Sequence, residues 1–315
     1  MILRKMTEDK IDMAIMFVDM NDKEWFDRYN EYIKTHEIPI PEINNVEVRS
    51  RDYGTLRCLL RSVELYAPWI NNIFLVVQSE SQVPKWINRE NVRVVLHEDI
   101  IPKEYLPTYN TFTIQTHIHR IPGISEKFIF SDDDSIFCQP VFKEDFFLND
   151  KLIQPIRILP IEKLSSSSKH SQYFKVNASE VVKEHCGIHD DNYYMDEHGV
   201  QAMFKSLNEE LYSSLDIKNH VSAFREYNNI FRFSYMTYAW FKRRMIHVTE
   251  RNKYIDFKGK DINDFRKWLN QAQFHEQISV NDQDLNPIFD KELFYEMVEE
   301  TLYYLFPNKS KKYEL

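Results

Sequence analysis

The chain has 315 residues, 43% of them apolar and 28% charged, the balance of a folded globular protein built as one large domain or one domain with an appendage. A net charge of −9 speaks against a nucleic-acid backbone as the main partner. Only 5 glycines, with no GxGxxG or GxxxxGK, argue against a glycine-rich phosphate loop, and 3 cysteines without CxxC spacing give neither a disulfide framework nor a zinc site.

The cysteine pattern suits a reducing compartment. The segment from Met1 to Asp12 lacks the apolar core of a signal peptide, and no apolar run approaches the ~20 residues that span a bilayer. The expectation is a cytoplasmic protein without a membrane span, able to work beside a membrane it does not enter.

Ile11 to Asp19 is a short apolar run ending in a carboxylate, the pattern of a buried parallel strand. Asn21-Asp22 can cap a helix that continues to Ile33. Gly54 to Tyr66 is periodic, with Leu56, Leu59, Leu60 and Val63 on one face, and Pro68 closes it. Ile73 to Val77 reads as a second buried strand. A short helix is expected near Pro84 to Ile87, and a third strand at Val92 to Leu96. A helix from Asn110 to Arg120 leads to a fourth strand, Phe128 to Phe130, which ends in Asp132-Asp133-Asp134. This alternation predicts an α/β fold with a doubly wound, mainly parallel sheet. Ligands on such sheets sit at the carboxyl ends of strands, where Asp19 and the aspartate triplet fall.

Residues 1–150 are thus expected as the α/β half. Residues 151–175 are expected as a flexible connector around Leu164 to Lys169, and residues 176–315 as a helix-rich half that completes site and sheet. Helical patterns run from Glu197 to Leu215, Val221 to Lys242, Asp261 to Gln273 and Lys291 to Leu305. Two strand-like runs, Met245 to Val248 and Gln277 to Val280, are candidates to return to the main sheet.

The aspartate triplet is the first chemical signal. Carboxylates at a strand end commonly hold a divalent cation that neutralises a diphosphate, because Mg²⁺ is usually held by one or two carboxylates plus phosphate oxygens. The plainer reading is a solvated turn of capping aspartates. Asp19 can meet a nucleotide ribose or cap the next helix. Arg57 and Arg61 share a helical face, and their forks suit phosphate or carboxylate, with surface ion pairs as the cheaper explanation. His198, in Asp196-Glu197-His198-Gly199, is a candidate general base or acid at the start of an expected helix. Arg225 is a candidate phosphate clamp. His117, His119, His185 and His189 match no zinc spacing. Asn281-Asp282 repeats the strand-then-carboxylate pattern.

Together these segments resemble the Stealth family. The resemblance is carried by Ile11 to Trp25 and by Arg51-Asp52-Tyr53-Gly54 through Tyr66-Ala67-Pro68-Trp69. It continues in Leu106-Pro107-Thr108-Tyr109-Asn110, His119-Arg120-Ile121-Pro122-Gly123 and Asp132-Asp133-Asp134, where the family usually has Asn-Asp-Asp. Asn177, His198, Phe224-Arg225 and Ile278 to Asp282 extend it over nearly the whole chain. Phe17 stands where the family usually has Trp, Met20 where it has Gly, and Gln115 where Glu is common.

The resemblance implies a GT-A-like nucleotide-sugar core and dependence on a divalent metal, Mg²⁺ or Mn²⁺. The implied reaction moves a hexose-1-phosphate or N-acetylhexosamine-1-phosphate from a UDP-sugar to a hydroxyl of an oligosaccharide or lipid-linked saccharide. UMP is released, and the setting is capsule or surface polysaccharide synthesis at the inner face of a bacterial membrane. The resemblance assigns catalysis to Asp133, Asp134, His198 and Arg225. It assigns substrate binding to Asp19, Arg51, Asp52, Arg57, Asn110 and His119, and metal binding to Asp134 with Asp282. A metal-dependent glycosyltransferase releasing UDP and a non-catalytic carbohydrate-binding protein are the two alternatives.

Overall fold

The computed structural model describes residues 10–19, 22–37, 54–161, 170–249, 252–256, 274–281 and 291–315. β1 (Ile11–Met16), β2 (Ile73–Val77), β3 (Val92–Leu96) and β4 (Lys127–Asp132) are the four strands expected from the apolar runs. They pair in parallel in the order β3-β2-β1-β4. Every residue of β1 and β2 is buried, as in a sheet covered on both faces.

Asp12 is the one acid inside β1, and it is fully satisfied. It accepts hydrogen bonds from the Asn71 and Asn72 side chains at 2.8 and 2.9 Å and from the Asn72 and Ser125 N–H groups at 3.0 and 2.8 Å. It thus fastens the amino-terminal edge of the sheet.

The helices of the first half follow their patterns. α1 (Lys23–Thr35) is capped by Asp22, which accepts from Glu24 N–H at 3.0 Å. α2 (Thr55–Tyr66) buries Leu56, Leu59, Leu60 and Val63. α3 (Thr111–His117) is capped by Asn110 and continues as a single 3₁₀ turn to Arg120. The short helix expected near Pro84 to Ile87 is absent; the nearest helical turn is a 3₁₀ segment at Glu80–Gln82.

The second half holds more strand than the sequence suggested. After β4 come β5 (Ser135–Phe137), β6 (Phe147–Leu148), β7 (Lys151–Gln154), β8 (Arg157–Pro160), α4 (His170–Cys186) and β9 (Asn192–Met195). β10 (Gln201–Phe204) and α5 (Lys205–Ser214) follow, then α6 (Arg232–Phe241), β11 (Met245–His247), β12 (Asn252–Asp256), β13 (Gln277–Asn281) and α7 (Lys291–Leu305). β7 and β8 lie within the stretch expected as a connector.

The expected helix from Glu197 to Leu215 is corrected in its first half. β10 adds antiparallel to β4 as an edge strand of the central sheet, and helix begins only at Lys205. The expected helix from Val221 to Lys242 shrinks to α6. β11 and β13 do not return to the main sheet: β11 pairs with β7, and β13 pairs with β12 and β5. The expected helix from Asp261 to Gln273 and the serine-rich run lie outside the described residues. One apolar cluster takes in Leu59, Phe128, Ala202, Tyr235 and Ile278, so both halves share a core.

Candidate active site

Met16 of β1 lies opposite Asp132 of β4, so the carboxyl ends of these strands are adjacent. Strand order reverses here, since β2 and β3 extend to one side of β1 and β4 lies on the other. A crevice at such a switch point is where open α/β sheets bind ligands.

Three segments converge on the end of β4. The turn Asp133-Asp134 links β4 to β5 and is pinned by β13. Val280 N–H donates to Asp134 O at 3.2 Å, and the Ser135 and Ser279 hydroxyls meet at 2.9 Å. His198 comes from the loop between β9 and β10. Its carbonyl accepts from the Asn252 amide. Gly199 beside it has φ +148°, and a Cβ there would meet Gln277 Oε1 at 2.9 Å and Asn252 Cγ at 3.1 Å, so a side chain would be strained and would displace its neighbours. Arg232 opens α6, with its N–H donating to Gln115 Oε1 at 3.3 Å.

These side chains form one charged network. His198 Nε2 lies 3.2 Å from Asp134 Oδ2 and 3.8 Å from Asp132 Oδ2. Arg232 Nη1 donates to Asp132 Oδ2 at 2.9 Å, and Arg232 Nη2 lies 3.1 Å from His198 Nδ1. Arg232 Nε faces Asp196 Oδ2 at 3.8 Å. His198, Asp134 and Asp132 keep 30, 22 and 19% of their side-chain surface, so a substrate can reach them.

Electrostatics pull His198 two ways. Burial disfavours its charged form, but the Asp134 and Asp132 carboxylates outweigh burial and raise its pKa. Arg232 acts against a charged ring through its contact at Nδ1. A guanidinium only donates, so with a neutral ring this contact is a hydrogen bond into the Nδ1 lone pair. Burial pushes the Asp196 carboxyl up to about 7, with Arg232 and His198 pulling it back. Asp132 and Asp196 together outweigh burial and hold the Arg232 guanidinium above its ordinary value.

Asp132, Asp134 and His198 each offer one donor atom, and these atoms lie within 4.8 Å of one another. Two carboxylate oxygens and an imidazole nitrogen at a partly open strand end fit a divalent cation that leaves positions for phosphate oxygens.

Of the residues singled out in the sequence, the structure brings Asp134 and His198 together. Asp133 sits in the turn between them and β4, and Asp19 follows the adjacent end of β1, where its N–H donates to Gln82 Oε1 at 2.7 Å. Arg225 donates to Thr111 Oγ1 at 2.6 Å and lies 4.7 Å over Phe112, which stacks at 4.1 Å on Phe231. The guanidinium bonded to the strand-end carboxylate is that of Arg232. Asn110 is buried and donates to Asn229 Oδ1 at 2.7 Å. Arg57 faces Glu314 at 3.5 Å and Tyr303 Oη at 3.2 Å, and His119 is buried against Tyr212 with ring centroids 5.7 Å apart. Arg51, Asp52 and Asp282 lie outside the described residues.

Residues 49–154 match the model of Stealth protein conserved region 2. Over 143 residues the chain is 42% identical to the capsular polysaccharide phosphotransferase eps5J of Streptococcus thermophilus, an alignment covering 45% of this chain and 59% of that protein. Over 208 residues it is 33% identical to the receptor polysaccharide phosphotransferase WefC of Streptococcus gordonii, covering 63% of this chain and 60% of that one. Residues 49–154 thus carry a Stealth conserved region, and the aligned relatives are polysaccharide phosphotransferases. The chain spans about 60% of the length of these two relatives. A solved structure, the bifunctional glycosyltransferase WbbM, is similar at a TM-score of 0.46 and 13% identity over 95% of this chain and 50% of that one. No helix among the described residues is long and apolar enough to cross a membrane.

Proposed function

We propose that this chain transfers a hexose-1-phosphate or N-acetylhexosamine-1-phosphate from a UDP-sugar to a sugar hydroxyl, in the assembly of a capsule or other surface polysaccharide. The observation that carries the reading is the Asp132–Arg232–His198–Asp134 network at the switch point of the sheet. The names of the relatives, which call them polysaccharide phosphotransferases, support it.

The donor lies across the ends of β1 and β4, with its diphosphate over Asp132 and Asp134. Asp132, Asp134 and His198 are the side chains that would hold a divalent cation, Mg²⁺ or Mn²⁺, which would supply positive charge against the diphosphate. The acceptor hydroxyl attacks the β-phosphorus. A P–O bond to the acceptor forms, the bond to the bridging oxygen breaks, and UMP leaves with that electron pair. The hydroxyl proton passes to the Asp134 carboxylate, beside His198. Arg232 donates to oxygens that gain charge in the transition state, and Arg225 is a second guanidinium within the same half. Asp19, Arg57, Asn110 and His119, together with Arg51, Asp52 and Asp282, remain proposed contributors through the family resemblance. An oligosaccharide or a lipid-linked saccharide is the acceptor, met at the cytoplasmic face of a membrane.

The test is the nucleotide released when UDP-sugars, Mg²⁺ and an oligosaccharide acceptor are incubated with the protein. UMP is expected. UDP would show attack at the anomeric carbon and make the chain a glycosyltransferase.

A further inference from the structure

Arg232 faces three acceptors and bonds to two of them. Nη1 reaches Asp132 at 2.9 Å and Nη2 reaches His198 Nδ1 at 3.1 Å, while the Nε–Asp196 separation of 3.8 Å is too long for a hydrogen bond. Among the described residues neither Asp196 oxygen has a hydrogen-bond partner, and neither does Arg232 Nε. Yet the Asp196 side chain is 0% exposed. A buried carboxylate without hydrogen bonds is costly, and each such group calls for an account.

The Asp132 carboxylate is claimed twice. Arg232 holds it here, and under the proposed function a divalent cation takes the same carboxylate. Two cations on one carboxylate repel each other, so a metal at Asp132 weakens the hold of Arg232. The guanidinium then needs another anion within reach, and Asp196 stands on its Nε side with both oxygens unused.

We infer that Asp196 is the second seat of Arg232. When a divalent cation occupies Asp132, the guanidinium closes the gap to Asp196 and stays beside the site as a charged donor for phosphate oxygens. Asp196 is a positioning residue, touching neither metal nor substrate. The inference rests on the metal reading given under Proposed function.

The test is a cycle of Mn²⁺ affinities, measured by electron paramagnetic resonance on the wild type, Asp196→Asn, Arg232→Gln and the double variant. Asp196→Asn keeps the side-chain shape but removes the second seat, so Arg232 stays on Asp132 and Mn²⁺ binding weakens by about 10-fold. Arg232→Gln removes the competitor and tightens binding. In that background Asp196→Asn has no further effect. Wild-type affinity in Asp196→Asn, or a loss that persists without Arg232, would overturn the inference, the latter because it reports only a missing negative charge near the metal. Should the variants not fold, the Nε–H resonance of Arg232 in the unsubstituted protein answers alone. It moves downfield on addition of Mg²⁺ as a hydrogen bond to Asp196 forms, and an unmoved resonance contradicts the inference. Absence of Mn²⁺ binding by the wild type would instead remove the metal reading itself, and this inference with it.

Discussion

Arg232 and Asp132 meet at 2.9 Å although 100 residues separate them in the chain. The contact joins the first turn of α6 to the last residue of β4, and through His198 it also fixes the loop between β9 and β10. With Asp132 on one side and Asp196 on the other, the guanidinium stays beside the site in either seat before a substrate arrives, which is the condition for effective charge stabilisation.

Arg232→Ala is therefore expected to lower kcat by about 10²-fold or more, the range for removal of one preorganised donor. Arg232→Lys recovers little, because a single ammonium cannot face the neighbouring carboxylates and donate to phosphate oxygens at once as a planar fork does. Steady-state kinetics on both variants decide this. Near-wild-type turnover in either would take Arg232 out of the chemistry.

Dialysis against a chelator is expected to abolish turnover, and Mg²⁺ or Mn²⁺ to restore it, since Asp132, Asp134 and His198 form a donor set within 4.8 Å. Asp134→Asn should resist rescue at metal concentrations that reactivate the wild type. Turnover that survives exhaustive chelation would contradict the metal reading.

Burial pushes His97, His117 and His119 down to about 3, 4 and 3, so all three stay neutral in the folded protein. Unfolded histidine titrates near 6.5. Below that pH the unfolded chain binds protons that the folded chain refuses, and stability falls with a slope of about 1.4 kcal/mol per pH unit per histidine. Their contribution is complete above about 6.5 and is lost as pH drops toward the folded values. Urea midpoints between pH 8 and pH 5 should show this decline, and His119→Phe should flatten it. An unchanged slope in that variant would mean that His119 does not titrate as described.

Much of the fold was legible where a single segment carries its own signal. β1, β2, β3 and β4 are apolar runs, and their order along the chain predicts the parallel sheet. β10 escaped notice because it has only 4 residues and runs straight into α5. Met203, Phe204, Leu207 and Leu211 then share a spacing that fits a helix as well as a strand and helix in series. In the site, Asp134 and His198 carried local cues. Arg232 and Asp196 had none, because their roles depend on partners brought together by tertiary packing. Arg57 and Arg61 do share a face, as their spacing implied, and the anion both meet is the carboxylate of Glu314.

That carboxylate supports a stability prediction. Arg61 grips Glu314 at 2.6 and 3.0 Å and also donates to Phe306 O at 2.6 Å, with 10 and 4% of the two side chains exposed. Burial alone would raise the Glu314 pKa, but Arg61 and the Ser310 N–H outweigh it and hold the carboxyl below its ordinary value. The stability this adds is present above about 4.5, the unfolded value, and is lost as pH falls through the lower folded value. Glu314→Ala leaves a buried guanidinium unpaired and should cost about 3 kcal/mol in urea unfolding at pH 7. A loss below ~1 kcal/mol would place the pair among weak surface contacts.

The most direct test of sugar-1-phosphate transfer follows the phosphorus itself. A UDP-sugar labelled with ³²P at the β position, incubated with the protein, Mg²⁺ and an oligosaccharide acceptor, should leave its label in the acceptor product as a phosphodiester that resists phosphatase. Arg232→Ala and Asp134→Asn should reduce that transfer. Label recovered in UDP, with an unlabelled glycoside as product, would contradict the account.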